Sequence, residues 1–266
     1  MKYCSTMKNT AKKSRKIIPV FSSVVIILMI CSAFRIDLTD ATEIVRKADE
    51  RVKGKTSYSE LTIQVIRPSW QREMGVKTWT KGNDFAIVYV TSPAKEKGNV
   101  TLKRKKEVWN WMPSIERTVK LPPSMMSQSW MGTDFTNDDF VKQSSVVNDY
   151  SQTLVGDSTV GGRSCYKIKM IPKPEAAVVW GKVIMFIDKK DFIQMRSEYY
   201  DEDGMLVNTM TGSDVKMLGG KLLPARMEMI PTDKPGQKTV IIYTTMKFDD
   251  PIEDNFFTVQ NMKLVK

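Results

Sequence analysis

The chain has 266 residues, with 41 Lys and Arg against 30 Asp and Glu, three cysteines and no histidine. The missing histidine excludes Ser-His and Cys-His pairs, an imidazole base and a histidine-ligated zinc, and three cysteines exclude a four-cysteine site. A formal charge of +11 raises the question of nucleic acid, so its place along the chain decides its meaning.

Residues 1–16 hold Lys2, Lys8, Lys12, Lys13, Arg15 and Lys16 and no acid, and residues 17–34 then run without a charge. A basic stretch, an apolar stretch and the small-residue exit at Cys31-Ser32-Ala33 are the parts of a secretory signal peptide, expected over 1–34. Met7 is an alternative start, and an uncleaved membrane anchor is the alternative to cleavage. Ile30 stands where a lipidation signal would have Gly or Ala before Cys31, so lipidation is not expected. The expected location is the periplasm of a Gram-negative type cell, with 35–266 as one domain. Six basic residues and no acids leave with 1–34, so the remainder carries a net +5. An exported chain of that charge does not meet a genome, and nucleic acid drops out. Cys165 is then alone in an alternating stretch, where a buried small hydrophobe is expected rather than a disulfide.

Asp37 to Gly54 has the pattern of one helix. Asp40 and Glu43 have capping-box spacing, Ile44, Ala48 and Val52 form an apolar stripe, and Gly54 is a stop. Strands are expected at 57–66, 70–80, 84–91, 98–104, 107–112 and 115–121, with an exposed turn at Lys103-Arg104-Lys105-Lys106. A second group is expected at 151–159, 163–171, 180–188, 191–200, 205–213, 215–219, 221–230 and 238–248, with turns at Gly161-Gly162 and Asp203-Gly204. The short spacings leave no room for repeated βαβ crossovers, so the sheet is expected to be antiparallel.

Between the groups, residues 122–143 show little alternation. Short helices are expected at 124–131 and at 136–141, the second capped by Thr136 or Asn137. Met125, Met126, Trp130, Met131, Phe135 and Phe140 give this insert a large apolar surface, which is either core or a flap over a cavity. Of the 18 methionines, 15 lie beyond residue 34, several on strands (Met170, Met185, Met195, Met210, Met217, Met227, Met229). Trp79, Trp109, Trp111 and Trp180 add broad apolar area to strands. A long sheet with one helix must curl to cover its faces, and a curled sheet capped by helices encloses an apolar interior suited to lipid.

No nucleophile elbow, P-loop or dinucleotide fingerprint is present, and no cofactor or metal is expected. Asp138-Asp139 reads as compensation of a helix dipole. The cluster at 201–203 reads as a hairpin tip without the spacing of a twelve-residue calcium loop, and the acids at 249–254 read as a loop before the last strand. An enzyme is not expected; a carboxylate-pair hydrolase ranks last among the readings.

The segment Trp109-Asn110-Trp111-Met112-Pro113-Ser114, with Arg117, Pro122-Pro123-Ser124 and Trp130-Met131-Gly132-Thr133-Asp134-Phe135-Thr136-Asn137-Asp138-Asp139-Phe140, resembles the LolA-like outer-membrane lipoprotein-sorting family, in its TP-0789-type domain branch. Ile187-Asp188-Lys189-Lys190, Glu198 to Gly204, Leu223-Pro224-Ala225-Arg226 and Asn255-Phe256-Phe257-Thr258 fit the same pattern. The resemblance covers most of 40–266. It implies a mainly β fold, an incomplete antiparallel β-barrel with helices closing its open side. It also implies a non-enzymatic periplasmic carrier that shields acyl chains of lipoproteins or related lipids on the way to the outer membrane. An inner-membrane exporter, an outer-membrane acceptor and a monomeric state are the corresponding expectations for partners and assembly. A lipid-sensing module, or an accessory subunit of a lipid exporter, is the alternative use of the same cavity. Candidate flap and cavity residues are Met125, Met126, Trp130, Met131, Phe135 and Phe140, with Trp109 and Trp111 on the adjacent strand.

Overall fold

The computed structural model describes residues 1, 3, 40–142 and 145–266; the expected signal peptide lies outside the described residues. Contacts divide the chain into Met1–Leu38 and Thr39–Lys266, and the fold is that of the second unit.

Helix α1 (Ala41–Lys53) starts where Asp40 accepts the Thr42 N–H at 2.9 Å and ends where Gly54 takes φ 61° and returns its N–H to Glu50. The expected capping box does not close: Glu43 turns along the helix to Arg46 instead, with contacts of 2.6 and 2.8 Å. Ala41, Ile44, Val45 and Ala48 form the buried stripe.

Among the described residues, thirteen strands form one antiparallel sheet. The first six are β1 (Thr56–Arg67), β2 (Trp70–Lys81), β3 (Phe85–Ser92), β4 (Val100–Arg104), β5 (Glu107–Met112) and β6 (Arg117–Lys120). After the insert come β7 (Tyr150–Val160), β8 (Arg163–Pro172), β9 (Lys182–Asp188), β10 (Gln194–Tyr200), β11 (Leu206–Leu218), β12 (Lys221–Pro231) and β13 (Lys238–Phe248). The order is β6-β5-β4-β3-β2-β1-β13-β12-β11-β10-β9-β8-β7. The chain walks outward from β1 to β6, crosses to the far edge at β7, and walks back until β13 pairs with β1. The sheet does not close into a barrel, and its two edge strands are consecutive in sequence. The crossing segment, 121–149, contains the expected insert, 122–143.

The two expected strands at 205–213 and 215–219 are one, β11, because Asp214 absorbs an irregularity at φ 51° without ending the ladder to β12. Trp180 lies just before β9 rather than on a strand. Gly161 and Gly162 both take positive φ, as a two-residue hairpin between right-twisted strands demands. Edge strand β6 is short and carries Arg117 and Lys120, and edge strand β7 is bulged between Leu154 and Gly156. Both features discourage pairing with another chain.

Alternation sends side chains to two faces. On one face Leu61, Ile63, Val65, Met74, Val76, Val88, Val108, Met229 and Ile241 join Leu121, Met126, Trp130 and Phe135 of the insert. On the other, Ile87, Tyr89, Val100 and Leu102 are covered by Phe257 and Met262 of the C-terminal segment. α1 packs on β7 and β9, against Tyr150, Met170, Val183 and Met185.

Candidate functional site

Strands from both halves of the sheet, α1 and the insert line one cavity of about 320 Å³, within the size range of small-ligand clefts. One part of its wall is apolar and sulfur-rich, with Met170, Met185, Met210, Met227, Val183, Trp180, Phe135 and Phe140 on the lining. Methionine side chains adapt to irregular volumes, so this wall suits a flexible aliphatic guest. Val45, Ala48 and Val52 bring the apolar stripe of α1 to the cavity, and Tyr199 and Tyr243 add rings with hydroxyls. Burial pushes both phenols above their ordinary pKa, so they stay protonated, as donors. The lining reaches the surface at the exposed turn Gly82-Asn83, where Ser57, Ser59, Thr78, Thr80, Lys53 and Lys103 replace apolar groups. The cavity is thus amphipathic.

Of the two short helices expected in the insert, the one at 124–131 is replaced by separate turns, while the one at 136–141 is present as a single helical turn capped by Thr136, whose hydroxyl accepts the Asp139 N–H. The insert holds short 3₁₀ turns at Pro123–Met125 and Trp130–Gly132 and one π turn at Asp138–Lys142. Long-range bonds hold it in this irregular path. Arg67 donates to Asp134 at 3.0 Å and to the Gly132 carbonyl at 3.0 Å; Asp134 also accepts the Thr239 hydroxyl at 2.7 Å. Arg72 holds the Met131 carbonyl and pairs with Glu96 at 2.5 Å. Asn137 donates its side-chain amide to the Met125 carbonyl at 2.9 Å. Met131 and Gly132 take positive φ to make the reversal. The Trp130–Phe140 block therefore acts largely as a clasp across the insert.

Asp139 is the clasp's connection to the second half of the sheet. Its carboxylate accepts the Thr136 N–H at 2.9 Å and the Trp180 indole N–H at 2.7 Å, while its own N–H goes to the Thr136 hydroxyl at 3.0 Å. Reading Asp138-Asp139 as dipole compensation thus missed what Asp139 touches. Burial pushes the Asp139 carboxyl above its ordinary pKa, against the lowering effect of the bonds from Trp180 and Thr136.

Of the residues expected at the site, only Phe135 and Phe140 border the cavity. Trp130 is buried behind them, its ring stacked on Phe140 at 4.1 Å, with Phe135 edge-on to Phe140 at 6.0 Å. Met126 is buried in the same cluster, and Met125 and Met131 pack on its margin. Trp109 and Trp111 are not brought to the cavity. Val108 takes the inner face of β5, so alternation sends both indoles to the opposite face, against the C-terminal cluster. Lys103, read with its neighbours as an exposed turn, is buried and holds the Asn83 carbonyl. The cavity's methionines and Trp180 had been visible in the sequence as apolar mass but not as a site. Their signal is parity: the residues sharing a face with Leu61 and Ile241 are those that point inward. Cys165 is buried and free. Among the described residues, no cluster of three or more His, Cys, Asp or Glu has the arrangement of a metal site. No helix among them is long and apolar enough to cross a membrane.

Comparison with known proteins extends this geometry. A family model described as an uncharacterized-protein-like family matches residues 82–264, well over half of the chain. No curated protein matches. Among solved structures, a DUF1329 family protein from Desulfovibrio piger superposes with a TM-score of 0.77 at 21% identity, over 85% of this chain and 98% of that one. A putative outer membrane lipoprotein-sorting protein domain from Vibrio parahaemolyticus gives 0.74 at 18% identity, over 85% and 100%. A LolA superfamily protein from Nitrosomonas europaea gives 0.72 at 25% identity, over 83% and 98%. The chain belongs to the family whose model matches residues 82–264, and its open antiparallel sheet is the fold of the LolA superfamily structure and of the other two.

Proposed function

We propose that this protein is an exported, non-enzymatic carrier that shields the acyl chains of a lipoprotein or related lipid in its cavity during transfer toward the outer membrane. The observation that carries the reading is the amphipathic cavity, with methionines and aromatic rings on one part of its lining and hydroxyls and lysines beside the exposed turn Gly82-Asn83. Each methylene withdrawn from water contributes about 0.8 kcal/mol, so an acyl chain does not cross an aqueous gap unshielded. A carrier must also release its cargo, and a wall of adaptable thioethers favours exchange over one rigid fit.

In this reading 1–34 is a cleaved signal peptide and 35–266 is the carrier domain. α1 and the insert together close the open side of the sheet, and Phe135 and Phe140 are the flap residues in contact with lipid. Entry of a chain requires the insert to shift against the second half of the sheet, and the Asp139–Trp180 bond is the contact that such a shift breaks. Native mass spectrometry of the protein recovered from the periplasm of a Gram-negative host tests the reading. Co-purified acyl lipid, or tight binding of a fluorescent fatty acid, is the expected result; neither one being found would refute it.

A further inference from the structure

On the inner face of β1 and β2, two successive cross-strand pairs are hydroxyl pairs, Ser57 with Thr80 and Ser59 with Thr78, before the face turns apolar at Leu61 and Val76. Ser57 and Thr80 bond each other at 2.6 Å. Ser59 and Thr78 line the same wall, and neither hydroxyl is bonded to another group among the described residues, although Ser59 is only 3% exposed. Both residues line the cavity, Ser59 buried and Thr78 half-buried, so a guest in the cavity can supply the hydrogen-bond partner that the protein does not.

The charges around them narrow the chemistry. Lys53 is paired with Asp49 at 2.7 Å and donates to the Asn83 side chain at 2.8 Å. Lys103 holds the Asn83 carbonyl, and Asp138 is the other acid on the lining, with Asp139 moved toward its protonated form by burial. Against the three aspartates on the lining (Asp49, Asp138 and Asp139) the two lysines leave no surplus positive charge, so an anionic head group would be desolvated without a counter-charge.

We infer that the Ser59–Thr78 pair is a head-group subsite for an uncharged, hydrogen-bonding lipid head, of the glycerol-ester class. The subsite rests on the carrier reading and specifies its ligand. An ester carbonyl accepts from the two hydroxyls, or a glycerol hydroxyl donates to them, while the acyl chain runs past Leu61 and Phe140 to the methionines.

Binding of monooleoylglycerol, oleate and the uncharged dye N-phenyl-1-naphthylamine to the whole protein tests this. The glyceride and oleate share one chain, so their difference reports the head, and the dye reports the apolar cavity and its fold. The glyceride is expected to bind at least about fivefold tighter than oleate, the worth of one net hydrogen bond. Ser59→Ala with Thr78→Val should close that gap while the dye is still bound, which shows that the cavity is intact; Thr78→Val alone, at a half-buried position, should narrow it if the double variant fails to hold dye. Oleate binding as tightly as the glyceride, or a gap that survives the substitutions, overturns the subsite and leaves the carrier reading standing. If none of the three binds, the carrier reading itself is overturned and the subsite with it.

Discussion

The indole N–H of Trp180 donates to the carboxylate of Asp139 at 2.7 Å, joining an insert that follows β6 to the loop that precedes β9. These elements belong to opposite halves of the sheet, so this bond is a direct tie from the insert to the second half. Trp180→Phe keeps the ring packed on Tyr199 (5.2 Å between centroids) and removes only the donor. Loss of a bond to a buried carboxylate should cost about 1–3 kcal/mol. Hydrogen exchange at the amides of Thr136–Phe140 should accelerate; unchanged exchange there would show that the bond does not hold the insert.

Asp139 also gives the fold a pH signature. Its carboxyl binds its proton more tightly in the folded state than in the unfolded chain, because burial disfavours the charge. The native state therefore holds the extra proton above the ordinary carboxylate pKa, and this residue's contribution to stability falls as pH rises through that window. Asp139→Asn has no proton to lose there. Urea unfolding of both proteins between about pH 4 and pH 8 should show the wild type losing stability relative to the variant as pH rises. Parallel curves would contradict the assignment.

Core and cavity residues of the insert should separate cleanly. Trp130 is 2% exposed and stacked between the insert and the sheet, so Trp130→Ala should cost about 3–5 kcal/mol of stability. Phe140 borders the cavity and is only half-buried, so Phe140→Ala should weaken binding of a fluorescent fatty acid more than it lowers stability. Trp111→Ala, on the opposite face, should lower stability and leave that binding unchanged. Equal effects of Phe140→Ala and Trp111→Ala on binding would reject the placement.

Arg67 and Asp134 are the strongest part of the clasp, with side chains 11% and 7% exposed. Removing one partner leaves the other charge buried, so Asp134→Ala should cost about 3 kcal/mol or more in denaturant unfolding. A loss below about 1 kcal/mol would place the pair with ordinary surface ion pairs.

How far the sequence reached follows from where the information sits. α1 and the strands are written locally, in the stripe Ile44–Ala48 and in alternating runs such as Leu61-Ile63-Val65, so element type and antiparallel pairing were readable. The path of the insert was not, because its shape comes from Arg67, Arg72 and Thr239, which lie far from it in sequence. Helix-like residues at 124–131 were overruled by those tertiary bonds. Trp109 and Trp111 show a second limit: one strand reveals that its faces differ, but only the neighbouring strands tell which face is inside. Ser59 and Thr78 would have passed as ordinary strand residues until their pairing placed them on the cavity wall.

The central claim is that acyl chains occupy the methionine-lined part of this cavity. Photo-crosslinking with a diazirine-bearing fatty acid, followed by peptide mapping, tests it most directly. Labelling concentrated on Met170, Met185, Met210, Met227 and Phe140 is the expected result. Labelling confined to the opposite face around Trp109, Trp111 and Phe257, or no specific labelling, would contradict it.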